Sequence, residues 1–100
     1  MAEIVNKGEL SVTGTIICTP TIPGKSVKLL NIRFNNPLAY TLRLDTYSPD
    51  TLSTQTIYEL SLDAGDTVTD NFTYVLKYPD ELIAYSDIIG TVYYVYGIEY

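Results

Sequence analysis

One hundred residues make a single domain, residues 1–100, able to bury roughly two thirds of its unfolded surface. Six Lys and Arg against twelve Asp and Glu leave a net charge of −6, which argues against any phosphate-binding stripe and against nucleic acid as a partner. With no histidine and one cysteine, Cys18, the chain lacks the usual base for a nucleophile, the commonest zinc ligand and any intrachain disulfide.

In chain order, the start "MAEIVNKGEL" lacks the basic residues, apolar run and cleavage site of a secretory signal. No apolar stretch approaches the ~18 residues of a membrane span. The expectation is a protein made in a reducing cytoplasm that meets no membrane. "GELSVTGTIIC" alternates, with Leu10, Val12, Ile16 and Cys18 on one face and Glu9, Ser11, Thr13 and Thr15 on the other. "TPTIPGK" is a loop. "SVKLLNIRF" puts Leu30, Ile32 and Phe34 opposite Asn31 and Arg33, and "NNP" turns the chain.

"LAYTLRLDTY" directs Leu38, Tyr40, Leu42 and Leu44 inward, with Thr41, Arg43 and Asp45 outward. After the loop "SPDTLST", "QTIYELSL" sets Tyr58, Leu60 and Leu62 toward the core. "DAGD" turns, and "TVTDNFTYVLKY" carries Val68, Phe72, Tyr74 and Leu76 on one face. "PDELIAYSD" reads either as a short helical turn or as an extended bridge. "IIGTVYYVYGIEY" is the last strand. No window has a 3.6-residue period, and Val, Ile, Thr and Tyr fill the apolar stretches. The pattern predicts an all-β protein, an antiparallel β-sandwich or small barrel of six or seven strands.

The missing residue types leave little catalytic chemistry, and the expectation is that the chain is not an enzyme and holds no cofactor. Asp63, Asp66 and Asp70 around "DAGDTVTD", and the adjacent Asp80 and Glu81, are the carboxylates to weigh as a calcium site. Their spacing matches no EF-hand, and Asp in a turn ordinarily bonds its own backbone. Charge is unevenly placed. Residues 1–50 hold five cations against four acids, +1, and residues 51–100 hold Lys77 alone against eight acids, −7. Such asymmetry either orients a head-to-tail contact between copies or marks a solvated acidic face.

Ten tyrosines stand out in this composition, five of them within the last sixteen residues: Tyr85, Tyr93, Tyr94, Tyr96 and Tyr100. Along the final strand Val92, Tyr94, Tyr96, Ile98 and Tyr100 share one face, while Thr91, Tyr93, Val95, Gly97 and Glu99 share the other. A sandwich buries one face of each strand, and a terminal strand at a sheet edge invites pairing. Tyr93, Tyr94, Tyr96 and Tyr100 are therefore the candidate interface residues, since tyrosine anchors protein contacts while its hydroxyl finds a partner.

The stretch "YVLKYPDELIAYSDIIGTVYYVYGIEY", residues 74–100, resembles a recurrent ending of small phage structural proteins with immunoglobulin-like sandwiches. That ending runs L-x-x-G-D-x-(L/I), a small-residue stretch, then V-x-x-x-V-x-G-(I/V)-E. Leu76, Asp80, Leu82, Ala84, Gly97, Ile98 and Glu99 fall onto it, with Pro79 where glycine is usual and Val92 and Tyr96 each one place past the two valine positions. "LSLDAGDTVTDNF" is similar to a turn-and-strand segment of the same proteins. The resemblance implies an immunoglobulin-like fold and a non-enzymatic virion component, an auxiliary or decoration protein in many copies. Its implied partners are the major capsid protein or other virion subunits. The rival expectation is a carbohydrate- or receptor-binding module, which the absence of tryptophan disfavours.

Overall fold

In the computed structural model, which describes residues 2–100, nine strands and no helix are found among the described residues. They are β1 (Ala2–Glu9), β2 (Thr15–Cys18), β3 (Ser26–Asn35), β4 (Tyr40–Ser48), β5 (Ser53–Leu62), β6 (Thr67–Asp70), β7 (Tyr74–Lys77), β8 (Glu81–Ser86) and β9 (Val92–Glu99). One sheet, sheet A, runs β1-β9-β3-β6, with β7 also paired to β3; the other, sheet B, runs β2-β8-β4-β5. Every ladder is antiparallel. The expected antiparallel sandwich is present, with nine strands rather than six or seven.

The ladders nest. β1 pairs β9, β2 pairs β8, β3 pairs β6 and β7, and β4 pairs β5, so one long ribbon is folded back on itself. Two further ladders, β3–β9 and β4–β8, join the ribbon's turns into the two sheets. This is jelly-roll connectivity, two Greek keys with one ribbon strand broken into β6 and β7. The immunoglobulin order groups seven strands as ABED and CFG and differs from this nesting. Its consequence for function is topological: β9, though last in sequence, is interior to sheet A and has no free edge.

Local chemistry explains where strands break or slip. Gly14 N donates to Ser11 O (3.4 Å) and Ser11 N to Thr15 Oγ1 (2.9 Å), closing a turn inside the stretch expected to run straight from Gly8 to Cys18. Gly14 has φ 107°, and a Cβ there would lie 2.5 Å from the Tyr85 ring, so only glycine fits. That turn leaves Val12 exposed, and a bulge between Ile16 and Cys18 turns Ile17 inward and leaves Ile16 exposed, against the expected alternation. A second bulge, between Leu29 and Asn31, seats Leu29 in the core where Leu30 was expected. Asp70 Oδ1 accepts from Phe72 N at 2.9 Å and ends β6, so Phe72 is 77% exposed instead of inward. Leu38, in the loop before β4, is exposed too. The ambiguous "PDELIAYSD" is extended: β8 is a central strand whose Leu82, Ala84 and Ser86 point inward.

The core joins Val27, Leu29, Ile32, Phe34 and Val95 of sheet A to Ile17, Leu42, Leu44, Leu82 and Ala84 of sheet B. One end of the sandwich is closed by polar groups instead. Asn36 Nδ2 donates to Thr91 Oγ1 (2.8 Å) and to Ile89 O (3.1 Å), and Thr91 Oγ1 shares a hydrogen bond with Ser86 Oγ (2.7 Å). All three side chains are buried. Thr91→Val is expected to cost about 1–3 kcal/mol in denaturant unfolding, because it leaves Asn36 and Ser86 short of a partner inside the protein. A loss below about 0.5 kcal/mol would show that water reaches this cluster.

Candidate interaction surface

Because β9 is paired on both sides, its alternation sorts the four candidate tyrosines between two environments. Val95 and Gly97 are buried on the inner face, and Tyr93 shares that face and packs against the core. Gly97 lets β9 run close beside β3, since a Cβ there would meet Lys28 O at 2.8 Å. Tyr94 and Tyr96 occupy the outer face, and Tyr100 follows at the strand's end. The structure therefore brings Tyr94, Tyr96 and Tyr100 to one surface and removes Tyr93 from it. The expected edge strand is corrected as well, since the registers of β1 and β3 occupy both flanks of β9.

Neighbouring strands hold these rings in place. Arg33, opposite Tyr94 on β3, stacks its guanidinium 4.7 Å from the Tyr94 centroid. Tyr96 Oη donates to Glu3 Oε1 on β1 at 3.2 Å. Tyr100 is fixed through its backbone, which exchanges two 2.9 Å hydrogen bonds with Ser26 while the side chain stays 49% exposed. Val5, 51% exposed, lies directly across from Tyr96, and Val92, also 51% exposed, closes the row. The result is an aromatic and aliphatic stripe on the outer sheet face, its rings held by neighbouring strands and framed by charge. Such preordered tyrosines lose little conformational freedom on contact.

The sandwich is open along β5 on one side and β6–β7 on the other. A cleft of about 390 Å³ there is lined by Ile57, Tyr58, Leu60, Val68, Phe72 and Tyr74, with Asp70 at its base. Leu60, expected in the core, is 38% exposed on the rim because β5 is an edge strand. Tyr74 Oη donates to Asp70 Oδ2 at 2.9 Å. Tyr58 Oη is buried near the same carboxylate without reaching hydrogen-bonding geometry. Sequence patterning missed this cleft, because it forms only where the two sheets diverge.

Burial, then the bond to Asp70 and its charge, push the Tyr74 hydroxyl up to about 12. Burial first, and the Asp70 charge second, also raise Tyr58. Unfolded tyrosine ionises near 10. Stability from these two groups is thus complete below about pH 10 and is lost as pH climbs toward 12, where the unfolded chain has released protons that the folded one retains. Denaturation midpoints are expected to fall over that interval, and more gently in a Tyr58→Phe/Tyr74→Phe double variant. An equally steep fall in the double variant would contradict this assignment.

The other residues weighed in the sequence have local duties. Asp66 Oδ2 accepts from Asp63 N (3.2 Å) within its own turn, while Asp70 sits at the cleft. No group of three or more potential ligands is gathered for a metal among the described residues. Cys18 is buried, and burial followed by the Glu99 charge pushes its thiol up to about 11, away from reactivity. Comparison with protein-family models, with curated proteins and with solved structures returns no match for this chain.

Proposed function

We propose that this chain is a non-enzymatic structural component of a phage virion, an auxiliary or decoration protein that binds the capsid shell and bridges or stabilises its subunits. The observation that carries the reading is the tyrosine stripe on the outer face of sheet A, displayed by a strand with no free edge. Contact is then made face-on, ring against partner, rather than by adding a strand. A further support, as an analogy of fold alone, is the use of jelly rolls in viral shells; the resemblance of residues 74–100 to small phage structural proteins carries less, because the strand order differs from the immunoglobulin-like one it implies. The major capsid protein and neighbouring copies of this chain are the proposed partners, and the virion, assembled in the host cytoplasm, the proposed location.

Quantitative mass spectrometry of purified particles from the genome that encodes this chain is the direct test. Many copies per particle are expected, and absence from the particles overturns the reading. Jelly rolls also serve as lectins. The aromatic best placed for a sugar on sheet B is the half-buried Tyr85, in a cleft of about 330 Å³ with Glu59 and Asp87. Its ring, however, is already covered by Arg43 at 4.0 Å, a cation where a sugar would stack. A carbohydrate- or receptor-binding role is accordingly the weaker reading.

A further inference from the structure

The two outer faces of the sandwich differ in charge. On sheet A, registers from the inward Val27, Phe34 and Val95 put Lys7, Lys28, Arg33 and Lys77 outward, against Glu3 and Glu9. Four cations against two carboxylates give +2 on that face. On sheet B, Arg43 is outward with Glu59 and Glu81, while its ion-pair partner Asp45, expected outward, is buried at 2% exposure; one cation against three carboxylates gives −2. Within sheet B the Arg43 Nε–Asp45 Oδ2 pair, 3.1 Å apart, is internally balanced, so Glu59 and Glu81 carry the exposed excess. Both faces also present aromatic and aliphatic surface: Tyr94, Tyr96 and Val5 on one, Tyr47, Ile83 and Ile16 on the other.

We infer that copies of this chain stack front to back, the outer face of sheet A of one copy on the outer face of sheet B of the next. The inference rests on the virion reading and names the neighbouring copy as the partner of the tyrosine stripe. Charge decides the arrangement. Two A faces would oppose +2 to +2 and two B faces −2 to −2, and like charges brought together disfavour both. Only the unlike pairing is complementary. Such a contact is heterologous, using different patches on the two copies, and it builds rings or open rows rather than a closed two-fold dimer. The overall charge of −6 opposes approach at long range. At about 0.15 M salt, charges farther apart than ~8 Å are largely screened, which leaves the facing groups in control.

A charge-exchange experiment by sedimentation velocity tests this on the full chain. Lys28→Glu/Lys77→Glu makes both faces acidic, and Glu59→Lys/Glu81→Lys makes both basic. The parent is expected to form concentration-dependent larger species, each double variant to associate at least tenfold more weakly, and an equimolar mixture of the two to recover association. Folding of each variant is checked by its thermal melt. If a double variant unfolds, Lys28→Gln and Glu59→Gln serve in its place, each expected to weaken association in the same direction. A parent that stays monomeric at the highest loading overturns the stacking, as does a mixture that fails to recover. A monomeric parent found abundantly in particles would leave the virion reading standing. A stacking chain absent from them would do the reverse.

Discussion

Removing residues 91–100 is expected to abolish folding, not merely to weaken it. β9 contributes two eight-pair ladders, one to β1 and one to β3, and supplies Val95 to the core. Without it β1 has no partner within sheet A, the buried Val27, Leu29 and Ile32 lose their covering strand, and Asn36 and Ser86 lose Thr91. A domain of this size holds about 5–15 kcal/mol of net stability. The loss of a central strand exceeds that. Circular dichroism on the truncated chain should show no cooperative melt. A cooperative transition within a few degrees of the parent's would mean that β9 is dispensable and does not lie between β1 and β3.

Phe34→Ala has the next largest expected effect. Phe34 is 1% exposed and stands between Tyr93 on β9 and Val68 on β6, on sheet A's inner face near the end of β3. Truncating a buried phenylalanine costs about 3–5 kcal/mol through lost transfer energy and the cavity left behind. For a chain of this length each kcal/mol moves Tm by roughly 4–8 °C, so a fall on the order of 15 °C or more is expected. The chain's only other phenylalanine supplies the control. Phe72 is exposed at the break between β6 and β7, and Phe72→Ala should change stability by no more than about 0.5 kcal/mol. Equal losses at the two positions would contradict the placement of both.

What could be read in advance follows from how local each feature is. Strand character was legible wherever alternation was long and uninterrupted: Tyr40, Leu42 and Leu44 point inward as the period of two requires. Slips occurred at single-residue devices. The bulge at Leu29–Asn31 exchanges Leu30 for Leu29, and the one at Ile16–Cys18 exchanges Ile16 for Ile17: Ile32, Phe34 and Cys18 keep the face that alternation gives them, and one extra residue shifts the parity of what precedes them. β1 escaped notice because its alternation is mostly exposed, and its strand state is imposed by pairing with β9. The same long-range pairing hid the position of β9. The two faces of "TVYYVYGIEY" were readable from parity alone, but which face was inner, and that the last strand lies inside the sheet, depend on partners some sixty to ninety residues away in sequence.

Hydroxyl-radical footprinting of the tyrosines, in isolated protein and in purified particles, bears most directly on the face-on contact. Tyr94, Tyr96 and Tyr100 are expected to be modified in the dilute isolated chain and protected in particles, whereas Tyr93, half-buried on the inner face, is modified to the same extent in both. Unchanged modification of those three rings upon assembly, or protection of Tyr93 as strong as theirs, would contradict the account.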